Sequence, residues 1–217
     1  MKIVKLTEKN EKEILEEVAS FLRSGKLIIL PTDTVYGIVG DATNEKVIKK
    51  VFSLKKRPEE KAFPIFVRDI AAARKIAYIS DAKAQIIEKF WPGPYTFIFS
   101  RKENLPAILS GGLETIGIRV PDHPFLLALL RSVEFPLVQT SANLSGAEPA
   151  QNGDEIQKYF LGSAYEPELF IDGGALNGRQ STIIDFSSDA PKLLRGSAKT
   201  LQEFDMLVKE LTISKNA

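Results

Sequence analysis

Hydroxyl, amide and basic side chains group in four short stretches, each just past the end of a predicted helix or strand. The planar fork of arginine and the compact charge of lysine both suit phosphate oxygens. Runs of small polar residues leave backbone N–H groups open to an anion. Together the stretches predict a basic, hydroxyl-lined concavity suited to a polyphosphate. They are Thr32–Asp33–Thr34; Lys55, Arg57 and Lys61; Ser141, Asn143, Ser145 and Gly146; and Ser181–Thr182 with Arg195–Gly196–Ser197.

Each stretch alone also has a purely structural interpretation. Thr32, Asp33 and Thr34 could satisfy turn and cap hydrogen bonds, and the run from Ser141 could be a helix N-cap with its turn. Cations near a helix C-terminus favour the helix dipole without binding anything. The functional interpretation therefore depends on the four stretches occurring together.

The composition excludes several kinds of chemistry. The chain has no cysteine, which excludes disulfides, thiolate zinc sites and a cysteine nucleophile. Its single histidine, His123, excludes a multi-histidine metal site and is expected to be a loop or cap residue rather than a catalyst. The sequence contains no P-loop, no G-x-S-x-G elbow and no kinase signature. A reaction driven by positioning and charge neutralisation fits better.

The formal net charge of the 217 residues is +1, so no global field attracts nucleic acid and any polyanion site must be a local cluster. The N-terminus lacks the apolar core of a signal peptide, and no apolar stretch is as long as a membrane span. We therefore expect a cytoplasmic protein with no membrane partner.

A wholly apolar run, Leu27–Leu30, ends at Pro31, which is typical of a strand buried on both faces of an α/β sheet. In such sheets ligands bind beyond strand ends. Further strands are predicted at Phe63–Val67, Tyr95–Ser100, Thr115–Val120, Leu137–Thr140, Leu169–Ile171, Thr182–Phe186 and Lys192–Leu194. Helices are predicted from Asn10 to Gly25, from Thr43 or Asn44 into Lys55, at Ile70–Ile76, Ala82–Phe90 and Pro124–Val133, near Asp154–Phe160, and from about Thr200 to Leu211. The pattern predicts one α/β domain over residues 1–211, with a mixed sheet, and a short tail at 212–217.

An ordered series of motifs resembles the YrdC-like threonylcarbamoyl-AMP synthases. The resemblance covers roughly Leu27 to Ser197, nearly the whole domain, and the order of the motifs makes it specific. The motifs are Pro31–Gly37, the K-x-R-P-x-x-K element from Lys55 to Lys61, Trp91–Pro94 with Thr96, Gly117–Pro121, Ser141–Gly146, Asp172–Gly174, Ser181–Asp185 and Leu194–Gly196.

The resemblance implies a twisted mixed sheet flanked by helices around a basic concave face. It also implies an enzyme that converts L-threonine, bicarbonate or CO2, and ATP with Mg2+ into threonylcarbamoyl-AMP and pyrophosphate. That product would serve a separate tRNA threonylcarbamoyl transferase in the t6A modification of tRNA. The family's K-x-R falls on Lys55 and Arg57, and its S-x-N on Ser141 and Asn143.

The same resemblance suggests a role for each candidate residue. Lys55 and Arg57 would be the catalytic residues. With Lys61 they would meet the triphosphate, helped by Ser141, Asn143 and Arg195. Thr34, Arg119 and Ser181 would hold threonine, with Arg119 pairing its carboxylate and Thr32 nearby. Metal ligands are left open, with Asp33, Asp122, Asp172 and Asp185 as the available carboxylates.

The chain departs from its relatives in two places. Many relatives read K-P-L after the basic element, where this chain reads Lys61–Ala62–Phe63–Pro64. Some relatives also carry a second, smaller C-terminal domain that can cover the site and exclude water. This sequence ends soon after Leu211, so we expect either a single-domain form or a part of a longer protein.

Two other functions fit part of the pattern. A basic concave surface could hold double-stranded RNA or tRNA without chemistry, since such recognition needs mainly phosphate and 2′-hydroxyl contacts. A carbamoyl-transfer domain of hydrogenase maturation factors is similar in fold. Those proteins are much longer and carry zinc-finger cysteines, which this chain lacks.

Overall fold

Ten strands and six α-helices organise the part of the chain that the computed structural model describes, residues 1–188, 191–196, 200, 202, 203, 206 and 209. The strands are β1 (Lys2–Lys5), β2 (Ile28–Leu30), β3 (Gly37–Asp41), β4 (Ile65–Phe66), β5 (Tyr95–Ser100), β6 (Thr115–Arg119), β7 (Leu137–Ser141), β8 (Leu169–Asp172), β9 (Thr182–Asp185) and β10 (Lys192–Arg195). The helices are α1 (Glu11–Arg23), α2 (Glu45–Lys55), α3 (Ile70–Ile76), α4 (Asp81–Ile87), α5 (Pro124–Val133) and α6 (Gly153–Phe160), with a 3-10 turn at Ala107–Ser110.

These strands form one sheet in the order β1-β8-β2-β3-β7-β4-β6-β5-β9-β10. The pairs β1–β8, β2–β8, β4–β6 and β5–β9 are parallel, and the remaining neighbours are antiparallel. The predicted α/β domain with a mixed sheet flanked by helices is thus confirmed.

Both faces of the sheet are covered by apolar side chains, as strand β2 illustrates. Ile28 and Leu30 point into a core under α1 and α5, whereas Ile29 points into a larger core on the opposite face. Successive side chains of a strand point to opposite faces, so a strand between two cores must be apolar at every position. The predicted burial of this run is confirmed, because all three residues are fully buried.

Helix starts follow the polar residues that precede them. Asp69, Ser80 and Asn152 each accept a hydrogen bond from a backbone N–H in the first turn of α3, α4 and α6. His123 does the same for α5, where its Nδ1 atom accepts from the N–H of Leu126. The prediction that His123 is a cap residue is confirmed.

The sequence did not predict two of the strands, β1 and β3. Strand β3 contains Gly37 and Gly40, and glycine is depleted in strands. The second glycine is required by packing: a Cβ atom there would lie 2.5 Å from Cγ1 of Val47 on α2 and 2.8 Å from Cδ2 of Leu27. The helix can approach the strand closely only because no side chain intervenes.

The C-terminal predictions lie mostly outside the described residues. The helix predicted from about Thr200 to Leu211, the domain limit at residue 211 and the tail at 212–217 therefore stay predictions. Among the described helices, none has both the length and the apolar character needed to cross a membrane. The cytoplasmic location also stays a prediction.

Candidate active site

A cavity of about 250 Å3 lies on the same sheet face as the core under α1 and α5, where those helices no longer cover the strands. Strand alternation explains its lining. In β7, Leu137 enters the covered core, and Gln139 and Ser141, at every second position, line the cavity. In β6, Gly117 and Arg119 do the same. The floor of the site is thus the exposed continuation of a core face.

The loop after β2 supplies the first wall of the cavity. The Oγ1 atom of Thr32 lies 2.9 Å from Oγ1 of Thr34 and donates to the carbonyl oxygen of Val35 at 2.7 Å. The backbone N–H of Thr34 donates back to Oγ1 of Thr32 at 3.0 Å. Both threonines are nearly buried, so these bonds fix two hydroxyls at the cavity wall.

Arg119 is only 1% exposed and is held by three residues from two segments, the turn at Gly93 and the loop after β2. Its Nε atom donates to the carbonyl oxygen of Gly93 at 3.0 Å, and Nη1 donates to Oγ1 of Thr34 at 3.1 Å. Its Nη2 atom pairs with Oδ1 of Asp33 at 2.6 Å. Burial lowers the pKa of Arg119, and the carboxylate of Asp33 opposes that shift. Two of the five N–H donors of the guanidinium are not used by these contacts.

The turn that contains Gly93 explains the Trp91–Pro94 motif. The Trp91–Pro92 peptide is cis, and the indole Nε1 atom of Trp91 donates to the carbonyl oxygen of Tyr95 at 2.7 Å. A Cβ atom on Gly93 would lie 2.4 Å from the carbonyl oxygen of Phe90. Only glycine fits there, and its own carbonyl is aimed at Arg119.

The segment before β9 forms the second wall, and Arg195 fastens it. The Nε atom of Arg195 donates to the carbonyl oxygen of Ser181 at 2.8 Å, Nη2 donates to Oγ of Ser181 at 3.1 Å, and Nη1 donates to Oε1 of Gln180. Oγ of Ser181 also lies 3.0 Å from Oγ1 of Thr96. Burial, and to a lesser extent Arg119, lowers the pKa of Arg195.

Residues 173–181, called here the strap, lie directly against the loop after β2. A Cβ atom on Gly178 would lie 1.5 Å from the carbonyl oxygen of Thr34, so the strap contacts that backbone without space for any side chain. The hydroxyl of Tyr36 donates to the carbonyl oxygen of Gly174 at 2.6 Å and accepts from the N–H of Gly173 at 3.0 Å. Burial raises the pKa of Tyr36 to about 12, which keeps this donor protonated.

A second cavity of about 430 Å3 adjoins the first. The two share Thr34, Gln180, Ser181 and Arg195, so the end of the strap separates them. Asp33 lines the second cavity, whereas its partner Arg119 lines the first. The ion pair between them therefore lies in the dividing wall.

Lys55 lies behind the cavity and is 2% exposed. Its Nζ atom donates to the carbonyl oxygens of Ser141 at 2.7 Å and Asn143 at 2.6 Å, and to Oδ1 of Asn143. Burial, and then the nearby charge of Arg57, lowers the pKa of Lys55 to about 7. The three oxygens stabilise the ammonium form and oppose that shift.

The loop after β7 does not match the open anion nest that its sequence predicted. The N–H groups of Ala142, Asn143 and Ser145 donate to the carbonyl oxygens of Tyr36, Ser141 and Lys55. Because these donors are occupied and the carbonyls turn towards Nζ of Lys55, the loop binds a cation of the protein itself.

Arg57 lines the cavity, and two carbonyl groups fix its guanidinium. Nε donates to the oxygen of Lys61 at 3.1 Å and Nη2 donates to that of Ala62 at 3.0 Å. The guanidinium carbon lies 4.9 Å from the ring centroid of Phe63. The side chain of Lys61 is exposed and outside the lining, next to Ala62 at its edge.

The structure therefore brings most of the predicted residues to one cavity. Those in its lining are Thr32, Thr34, Arg57, Arg119, Ser141, Ser181 and Arg195. Lys55, Lys61 and Asn143 are outside the lining. Sequence analysis missed the roles of Gln139, Gln180 and Gly178, none of which had a motif-level signal beyond the polar run before β9. It also missed the pairing of Asp33 with Arg119, which joins residues far apart in the chain.

Among the described residues, no three histidine, cysteine, aspartate or glutamate side chains group as a metal site. Asp33, the carboxylate in the dividing wall, already pairs with Arg119 and accepts from the N–H of Asp122 at 3.1 Å. Mg2+ is commonly held by substrate phosphates and water with one or two carboxylates, so an ion that accompanied a phosphate ligand would not need a cluster of protein carboxylates.

Known proteins resemble this chain over most of its length. The sequence model of the Sua5/YciO/YrdC family, described as "Telomere recombination", matches residues 20–197. The putative threonylcarbamoyl-AMP synthase of Methanocaldococcus jannaschii is 40% identical over 190 residues, which are 87% of this chain and 88% of that protein. The threonylcarbamoyl-AMP synthase of Pyrococcus abyssi is 33% identical over 213 residues, 97% of this chain.

A solved relative is similar over the same range. The crystal structure of P. abyssi Sua5 complexed with L-threonine superposes with a TM-score of 0.89 at 32% identity, covering 97% of this chain and 62% of that one. The chain likewise spans 62% of the curated P. abyssi protein and 58% of the Bacillus subtilis synthase. The extent and identity of these matches show that the chain belongs to the Sua5/YciO/YrdC family.

Proposed function

We propose that this chain is a threonylcarbamoyl-AMP synthase, joining L-threonine, bicarbonate or CO2, and ATP with release of pyrophosphate. The observation that carries the proposal is one cavity lined by three arginines, at positions 57, 119 and 195, together with fixed hydroxyls of Thr32, Thr34, Ser141 and Ser181. Two anionic reactants must meet in this reaction, and such a site lowers the cost of bringing them together. The names of the relatives and the threonine complex of one of them support the same reaction.

The reaction requires two bond-forming steps. The neutral amine of threonine attacks the carbon of CO2, forming an N–C bond and releasing a proton to give a carbamate; bicarbonate would first lose hydroxide. A carbamate oxygen then attacks the α-phosphorus of ATP, and the bond from that phosphorus to the bridging oxygen of the β-phosphate breaks. Pyrophosphate leaves with the electron pair.

The threonine end is assigned to the wall around Arg119. The remaining N–H of Nη1, outside the contact with Thr34, would meet the threonine carboxylate, since Arg119 lines the cavity. The hydroxyls of Thr32, Thr34 and Ser181 would meet the polar groups of the amino acid. Because this wall is nearly buried, water would compete weakly for these contacts.

The triphosphate end is assigned to Arg57 and Arg195, with Ser141 beside them in the lining. Lys61 would reach phosphates only at the edge of the cavity, where the neighbouring Ala62 lies. Lys55 and Asn143 would act mainly by fixing the loop that carries Ser141. Mg2+ bound to the nucleotide would neutralise charge on the phosphates.

The proposed product is a carbamic–phosphoric mixed anhydride, which needs a downstream acceptor. We propose that a separate tRNA threonylcarbamoyl transferase consumes it, so that tRNA is the final recipient rather than a reactant here. Any contact of this chain with tRNA or double-stranded RNA belongs to the alternative function as an RNA-binding module.

The test is pyrophosphate release with Mg2+-ATP, omitting L-threonine or bicarbonate in turn, alongside incorporation of labelled bicarbonate. We expect release and incorporation only with all three reactants. Arg57→Ala should abolish most of both, whereas Lys49→Ala, an exposed change on α2, the helix that precedes Arg57, should leave them unchanged. Release that ignores threonine or bicarbonate would overturn the proposal. Salt-sensitive RNA binding without any nucleotide turnover would favour the binding module.

A further inference from the structure

Asp33 forms part of the wall between the two cavities, and the proposed reaction assigns it no chemical role. Its Oδ1 atom lies 2.6 Å from Nη2 of Arg119, and its Oδ2 atom accepts from the N–H of Asp122 at 3.1 Å. The side chain is 10% exposed. Both oxygens therefore already have protein partners, on the end of β6 and on the loop before α5.

These contacts determine the orientation of Arg119. The side chain of Arg119 is only 2% exposed, and its guanidinium pairs with the carboxylate of Asp33. A buried charge is tolerated only when it is paired and hydrogen-bonded. With Asp33 on Nη2 and the carbonyl of Gly93 on Nε, Nη1 is left to face Oγ1 of Thr34 and the first cavity.

We propose that Asp33 is a positioning residue for the amino-acid end of the site. It orients Arg119 and, through it, the hydroxyl of Thr34, so that the donors in the first cavity select a carboxylate-bearing substrate. Asp33 acts through Arg119: its Oδ1 atom pairs with Nη2 of Arg119 and its Oδ2 atom accepts from the N–H of Asp122, so we assign it the orientation of the guanidinium rather than Mg2+ binding. This inference rests on the proposed function for the identity of the amino acid.

The experiment compares binding of L-threonine and L-threoninamide, which lacks the carboxylate, by calorimetry in the presence of Mg2+-ATP. The proteins are wild type, Asp33→Asn, Arg119→Gln and the double variant. Wild type should prefer threonine by about 10-fold or more, the range for one charge-assisted contact. Asp33→Asn should lose most of that preference, and in the Arg119→Gln background it should change nothing further.

Asp33→Glu serves as the conservative variant and should restore part of the preference, because it keeps a carboxylate for Nη2. Where Asp33→Asn is too unstable to bind any ligand, Asp33→Glu and the double variant still test the coupling, since the double variant has no buried unpaired guanidinium. ATP binding in the absence of amino acid should stay within about threefold of wild type in all of these variants. The substituted residues belong to the threonine end of the site, whereas the triphosphate is assigned to Arg57 and Arg195.

Three results would overturn the inference. They are an unchanged preference in Asp33→Asn, additive losses in the double variant, and a raised Mg2+ requirement in Asp33→Asn, which would make Asp33 a metal ligand. A wild-type protein that binds neither threonine nor threoninamide would instead overturn the proposed function itself. The two failures are therefore distinguishable.

Discussion

The ammonium nitrogen of Lys55 lies 2.6 Å from the backbone carbonyl oxygen of Asn143 and also donates to Oδ1 of the same residue. A buried lysine thus closes the loop after β7 from behind, and Oγ of Ser141 donates to the same Oδ1 atom at 2.7 Å. The K-x-R and S-x-N motifs meet as one hydrogen-bonded unit. This unit fixes the loop that carries Ser141, and Lys55 itself lies outside the cavity lining.

Replacing Lys55 by methionine should destabilise the protein by about 2–4 kcal/mol, since carbonyl groups of Ser141 and Asn143 lose a buried donor. The effect should also depend on pH. The pKa of Lys55 is lowered to about 7 in the fold, so between pH 7 and the pKa of the unfolded chain the unfolded state binds more protons, and stability rises with pH. Lys55→Met lacks this rise.

Urea unfolding of wild type and Lys55→Met at about pH 7.5 and about pH 9.5 measures this pH dependence. The free energy of unfolding of wild type should increase relative to that of the variant at the higher pH. Parallel pH dependence in the two proteins would contradict the assignment. Lys50→Met, an exposed change on the same helix, is the control.

Arg57→Ala should weaken ATP binding by about 10- to 100-fold, because a guanidinium in the cavity lining loses its contact with a phosphate. Lys61→Ala should have a smaller effect, since that side chain is exposed at the cavity edge. Fluorescent nucleotide displacement gives both affinities. If Lys61→Ala proved as damaging as Arg57→Ala, the triphosphate would extend further over the edge than proposed.

Much of this architecture could be predicted from sequence because local signals agreed with the tertiary structure. Apolar runs such as Leu27–Leu30 and the capped helices had one consistent interpretation each. Strand β3 did not, because its glycines serve packing against α2 rather than strand propensity.

Most residues of the candidate site could be predicted from the sequence, but the contacts between them could not. Motifs identified Arg119 and Thr34, yet nothing in the spacing showed that Asp33 would pair with Arg119 across 86 positions or that Lys55 would point away from the lining. Such pairings arise from how strands register in the sheet. The prediction of open N–H groups after β7 was wrong for Ala142, Asn143 and Ser145. These groups donate to the carbonyl oxygens of Tyr36, Ser141 and Lys55, two of which come from other parts of the chain.

Gly178→Ala should damage both ends of the site, because its Cβ would lie 1.5 Å from the carbonyl oxygen of Thr34 and the strap must move away. We expect a loss of about 1–3 kcal/mol in stability and weaker binding of both threonine and ATP. Gly153→Ala is the matched control, since its Cβ would meet Asp172 and Phe170 at an ordinary 3.5 Å. Thermal unfolding with and without ligands measures both effects. Wild-type behaviour of Gly178→Ala would show that the strap does not support the wall.

His123 is the single histidine of the chain, so its imidazole gives a resolved NMR titration. Burial lowers its pKa, and the charges of Asp33, Glu11 and Asp122 only partly oppose that shift. Because the pKa in the fold lies below that of the unfolded chain, protonation favours unfolding, and this contribution to stability is lost as pH falls below about 6.5.

His123→Asn keeps an N-cap acceptor for Leu126 without a titrating group, so its stability should fall less steeply between about pH 6.5 and pH 5. The NMR titration of wild type should give a midpoint below that of a free histidine. A midpoint above that of a free histidine would mean that the nearby carboxylates, and not burial, determine the direction of the His123 pKa shift. In that case His123 would be charged beside Asp33, and the ion pair of Arg119 would share its counter-charge with a second cation.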